Sequence, residues 1–151
     1  MLKSLVLVQQ IAPNLGLKLA EKPIKSTADI ERGLSSVSKD TTDGMFVICS
    51  GLFRDQLKKI AHVAIQKRLP LAGCGGDSAE QGTLLSYGID NYAMGHRSAW
   101  YVDRILKGAK PQDLPVEAPT YFELIINLKT AKQIGLTIPP NVLARADKVI
   151  K

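Results

Sequence analysis

Met45 to Cys49 (MFVIC) is an unbroken apolar run, the pattern of a strand covered on both faces of its sheet. From Phe53 to Lys67 the period changes, and Leu57, Ile60, Ala61 and Ala64 recur at helical spacing. Leu69 to Ala72 is short and apolar again, introduced by Arg68 and stiffened by Pro70, and Leu84 to Gly88 reads as a further strand. Upstream, apolar residues alternate from Leu17 to Ile24, which predicts another strand. Ser26 and Asp29 then have capping-box spacing, with Asp in place of the usual Glu or Gln, ahead of an Ile30, Leu34 and Val37 stripe. Strand, helix, strand, helix, strand at this spacing selects right-handed βαβ units, a parallel sheet and an α/β fold.

The C-terminal part follows a different grammar. Asp90 is placed to cap a helix from about Asn91 to Lys107, with Ala99, Val102 and Leu106 on one face. Gly108 stops it, and Pro111 to Pro119 form a proline-punctuated connector. Next comes FELIINLKTAKQIGLTIPP, in which a half-apolar run ends at Asn127 and a helical run follows with no turn residues between them. Pro139-Pro140 stop the chain, and Pro140 to Ile150 reads as a last helix with Val142, Ala146 and Val149 facing inward.

At 151 residues, 45% apolar and 23% charged, this is the length and composition of one globular domain. No run approaches the roughly 18 apolar residues of a spanning helix. The patch from Leu5 to Val8 is too short for a secretory h-region, so the chain as written is expected to carry no export signal. The formal charge of +6 is spread over scattered lysines and arginines, without basic blocks or interleaved aromatics. Nucleic acid is therefore not an expected partner. Cys49 and Cys74 have no metal-ligand spacing; two small buried thiols are the preferred reading and a disulfide the other.

Catalytic constellations are not expected. GCGGDS (Gly73 to Ser78) follows a strand, but it lacks the ending of a phosphate-binding P-loop and the GxGxxG spacing. Its glycines still free backbone amides at a strand end, where open parallel sheets bind ligands. Ser50-Gly51 is not a nucleophile elbow. His62 and His96 lie mid-helix without companions at metal spacing. Asp77 and Glu80 are close enough to act as an acid/base pair, but no nucleophile stands near them. No catalytic residue, metal or cofactor is expected.

The stretch RILKGAKPQDLPVEAPTYFELIINLKTAKQIGLTIPPNVLARADKVI, Arg104 to Ile150, closely resembles the C-terminal end of a family of ABC transporter substrate-binding proteins. That family ends with a helix closing on a lysine-glycine step, a proline-rich connector, FEL.INLKTAK and a final helix. Ile134 stands where a leucine is usual. Leu85 to Gly88, followed by Asp90, resembles the segment where the family's chain returns toward its first lobe, and Leu17 to Gly76 fits the second lobe in order and spacing. The resemblance implies the type I periplasmic-binding-protein fold. Residues 1–88 would be the second, ligand-binding lobe, incomplete at its N-terminus. Residues 89–151 would be a crossover segment that packs on the first lobe in longer relatives.

The resemblance also implies a function. The chain would be the solute-binding fragment of an importer, binding a small polar ligand such as an amino acid without catalysis, with a membrane permease as partner. The parent family is extracytoplasmic (periplasm or cell surface), whereas this chain as written would be cytoplasmic. By strand-end position the expected ligand contacts are Ser50, Gly51, Phe53, Gly73, Gly75, Gly76, Asp77, Glu80 and Tyr87. The amides of the glycine turn would hold an anionic group and Asp77 or Glu80 an ammonium. Relatives clamp ligand between two lobes and are about twice this long. A C-terminal segment without its partner lobe leaves an apolar face bare, which predicts homo-oligomerisation through that segment. Two other readings remain: a truncated, self-associating remnant with no ligand, and a flavodoxin-like enzyme or nucleotide-binding domain.

Overall fold

A computed structural model describes residues 2–48 and 50–151. Its spine is a five-stranded sheet in the order β1-β2-β3-β4-β5. The strands are β1 (Met45–Phe46), β2 (Leu71–Cys74), β3 (Leu85–Ile89), β4 (Phe122–Asn127) and β5 (Lys148–Ile150). β1 and β2 run parallel, as do β2 and β3, whereas β4 is antiparallel to β3 and parallel to β5. The expected α/β sheet is present and mostly parallel. One sheet carries strands from both sides of residue 88.

Helices α2 (Thr27–Ser35) and α3 (Gly51–Gln66) bury their stripes on one face of this sheet. Ile30, Leu34, Ile60, Ala61 and Ala64 meet Val47 and Leu71 there in one cluster. The capping box is as expected: Ser26 Oγ accepts from Asp29 N–H, and the Asp29 carboxylate accepts from Ser26 N–H at 2.9 Å. That carboxylate is held well below its ordinary pKa by Arg32 and then by backbone N–H groups. Lys67 closes the other end of α2, donating to the carbonyls of Leu34 and Val37 at 2.7 Å each. Both histidines are exposed, and His62 is bonded to Gln66.

The strand that runs straight into a helix is explained by Asn127. It is the last residue of β4 and also the N-cap of α5 (Leu128–Ile134), accepting from Thr130 N–H at 3.0 Å. Its amide donates to Ala79 O at 2.8 Å, and it is buried. One side chain therefore ends the strand, starts the helix and ties both to the turn after β2. α5 then packs Ala131 and Ile134 against Leu84, beside Ile65 of α3.

Several expectations are corrected. Leu17–Ile24 is not a strand. Its Leu17 and Leu19 are exposed, and Ala20, Glu21, Lys22 and Pro23 are poor ladder formers, Pro23 lacking a donor altogether. β1 is shorter than expected, and the apolar run is covered on one face only: Phe46 in β1 is 57% exposed and Val47 just after it 6%. The final helix is a single turn, α6 (Pro140–Leu143). Asp147 then exchanges two hydrogen bonds with the Leu124 backbone, and Lys148–Ile150 join the sheet as β5. The helical spacing of Val142, Ala146 and Val149 loses to ladder pairing by β-branched residues. Cys74 is disulfide-bonded, not a thiol; the other cysteine, Cys49, lies outside the described residues.

α1 (Leu2–Ile11) leaves Val6, Leu7 and Ile11 exposed. α4 (Asn91–Leu106) and the connector that follows it form an arm. α4 matches the expected helix and is capped by Asp90, which accepts from the N–H groups of Tyr92 and Ala93. None of its residues is buried. The connector is laced to it by polar groups. Arg97 makes a two-pronged pair with Glu117, and Tyr101 Oη donates to Pro115 O at 2.7 Å. The Arg97 guanidinium also lies 4.0 Å from the centre of the Trp100 ring.

Candidate functional site

The C-terminal ends of β1 and β2 open onto a cavity of about 320 Å³ lined by Val47, Ser50, Gly51, Phe53, Arg54, Leu57, Cys74, Asp77, Ser78 and Gln81. Three pieces of local structure build it. Ser50 caps α3 by accepting from Phe53 N–H, which aims the first turn of the helix at the strand ends. Asp77 and Ser78 sit on a short 3-10 turn, Gly76–Ser78, directly after β2. Val47 and Leu57 are buried and make an apolar floor.

Polar groups around the rim are distinguishable by what they already hold. Ser78 has already used its one donor, its hydroxyl donating to Cys74 O at 2.6 Å. Asp77 is exposed and accepts one bond from Gln81 at 3.2 Å. Arg54 is exposed and takes part in no ion pair among the described residues.

Of the residues singled out in the sequence, Ser50, Gly51, Phe53 and Asp77 come together here. The others lie elsewhere. Glu80 is paired with Lys148 at 2.6 Å, which raises the lysine's pKa. Tyr87 stacks on Phe122, ring centres 5.9 Å apart, and is 61% exposed. Gly73, Gly75 and Gly76 do not line the cavity; close packing accounts for Gly73 and a left-handed φ of 88° for Gly75. A Cβ on Gly73 would lie 2.5 Å from Ser78 Cβ, and one on Gly76 would collide with the Glu123 carboxylate. Across from them, a Cβ on Gly88 would lie 2.7 Å from the Gly75 backbone. These glycines let the turn after β2 rest against β3 and β4.

Arg54, Leu57 and Gln81 were not foreseen from the sequence. The usable signal was spacing: Arg54 is four residues beyond the Ser50 cap, and Gln81 four beyond Asp77, so each falls on its neighbour's face. A second cavity, about 170 Å³, lies at the opposite ends of the strands between Lys39, Asp43, Arg68 and Gly135. Arg68 adopts φ 53° there as the left-handed residue that closes α3.

Compared with known proteins, residues 2–150 match the family model for the ABC transporter substrate binding protein. The chain belongs to that family. This substrate-binding family member is similar to a conserved domain protein of Vibrio cholerae, with a TM-score of 0.83 and 29% identity, over 98% of this chain and 50% of that one. An ABC domain from Streptococcus pneumoniae solved in complex with L-Trp gives a TM-score of 0.77 and 26% identity, over 97% of this chain and 52% of that one. A curated relative, the uncharacterized protein RP367 of Rickettsia prowazekii (strain Madrid E), is 24% identical over 79% of this chain and 39% of its own length. The chain thus spans about half the length of these solved relatives and less of the curated one. Among the described residues no helix is long and apolar enough to cross a membrane.

Proposed function

We propose that this chain is the ligand-binding lobe of an extracytoplasmic solute receptor serving an ABC importer, with a membrane permease as partner. It takes a small polar solute, an amino acid among the candidates, and performs no catalysis on it. The observation that carries this reading is the strand-end cavity, which joins an apolar floor to a cation and a carboxylate on opposite elements. Family membership supports the transport role, and the Streptococcus pneumoniae relative was solved with an amino acid bound. In this reading residues 1–88 hold the ligand and residues 89–151 are the crossover segment that meets a second lobe.

Homo-oligomerisation through that segment belongs to the same proposal. On α4, Val102 is 55% exposed and Leu106 82%, so an apolar stripe faces outward from the helix that the connector covers on its other side. Native mass spectrometry of the purified chain with a panel of amino acids tests both parts. A retained amino-acid mass supports the solute-binding role, and a dimer supports pairing of the arms. A ligand-free spectrum across the panel favours the remnant reading, in which the cavity is inherited and unused.

A further inference from the structure

We propose that Arg54 determines what the cavity accepts, by pairing with a carboxylate on the ligand. The inference rests on the solute-binding reading and gives it a chemical selectivity. Arg54 stands in the first turn of α3 and lines the cavity, yet it has no ion-pair partner among the described residues. Asp77 faces the same space from the turn after β2 and is not paired with Arg54 either; its single side-chain bond is to the neutral amide of Gln81. Two opposite charges that share a cavity without meeting leave room for a solute that carries both.

An α-amino acid has the matching layout. Its carboxylate can accept two parallel N–H bonds from the guanidinium fork, which a lysine cannot offer. Its ammonium can donate to Asp77, and its side chain then rests on Phe53, Leu57 and Val47. Apolar walls beneath the charges strengthen both interactions relative to open water.

Matched ligands test the assignment. Isothermal titration calorimetry on the whole chain first identifies the tightest binder among the standard amino acids. Its amide, which lacks the carboxylate charge, is then titrated into the wild type, Arg54→Gln and Arg54→Lys. The wild type is expected to prefer the acid over the amide about ten- to a hundred-fold, the range of a charged hydrogen-bonded contact. Arg54→Gln is expected to bind acid and amide equally, and Arg54→Lys to keep part of the preference. An Arg54→Gln chain that still discriminates as the wild type does overturns the proposal while leaving the solute-binding role intact. A wild-type chain that binds no amino acid overturns the proposal and removes amino acids from the solutes of the solute-binding reading. Arg54 is exposed and outside the core clusters, so its replacement leaves the fold to be checked by a single melting curve.

Discussion

The two sides of this molecule are held together by different forces. Beneath α2 and α3, Ile60, Ala61, Ala64 and Leu71 are at most 2% exposed and touch one another in a continuous cluster. In the arm, α4 has no buried residue and is fastened to the connector by an ion pair and a tyrosine hydroxyl, while its own Arg97 and Arg104 stack on Trp100. Burial stabilises by area, at roughly 25 cal/mol per Å² of apolar surface. Exposed ion pairs contribute about 0–1 kcal/mol and weaken with salt. The packed half should therefore define the fold of this chain, and the arm should be the part that yields first. In a two-lobed receptor the crossing segments must bend while the lobes stay rigid, so this division suits the proposed role.

The largest expected contrast comes from equivalent truncations on the two sides. Ile60→Ala removes a side chain that is 2% exposed and should cost about 2–5 kcal/mol. Val102→Ala, on the exposed stripe of α4, should change stability by less than about 0.5 kcal/mol. Urea unfolding followed by far-UV circular dichroism measures both. A Val102→Ala cost comparable to that of Ile60→Ala would mean the stripe is covered in solution, and the comparison would then describe a lone chain rather than its assembled form.

Asn127 sharpens the contrast, because its contribution to the packed side is polar. Replacement by Ala deletes the cap of α5 and leaves Ala79 O without its buried donor. The cap is worth about 1 kcal/mol and the orphaned carbonyl about 1–3 kcal/mol. A loss of about 2–4 kcal/mol is expected from the same urea experiment. A loss under about 0.5 kcal/mol would show that water reaches Ala79 O and that area alone governs this half.

How much of this was legible beforehand depends on whether the deciding force is local. The Ser26–Asp29 box, the α4 cap at Asp90 and the step from β4 into α5 depend on neighbours within a turn, and spacing reveals them. Leu17–Ile24 and Lys148–Ile150 depart from what their spacing predicts because a strand exists only through its ladder. The first has no partner in the sheet, and the second finds one on β4, more than twenty residues upstream. Of the residues chosen by strand-end position, Ser50, Gly51, Phe53 and Asp77 line the cavity. The glycines of the turn lie off the cavity lining, and Arg54, an exposed arginine with no motif around it, lies on it without a signal in the sequence beyond spacing.

The smallest expected effect is confined to the arm and depends on pH. The Glu117 carboxyl is held below its ordinary value of 4.5, chiefly by the hydrogen bond from Arg97, and the Arg97 pKa is raised in turn. A depressed carboxyl contributes its stability fully above the ordinary value and loses it as pH falls through the lower, folded value. Between neutrality and about pH 5 nothing should change; below that, protonation frees the connector from α4. Trp100, the only tryptophan in the chain, lies under Arg97 and Arg104 and reports the event by its fluorescence. In the wild type this signal should move at a higher pH than the far-UV dichroism of the packed half. Glu117→Gln has no carboxyl to protonate, so its tryptophan signal should already be shifted at neutral pH and stay flat through the acid range until the packed half unfolds. An acid step of unchanged position in Glu117→Gln would assign the transition to another group and remove the electrostatic lacing from the arm's side of the comparison.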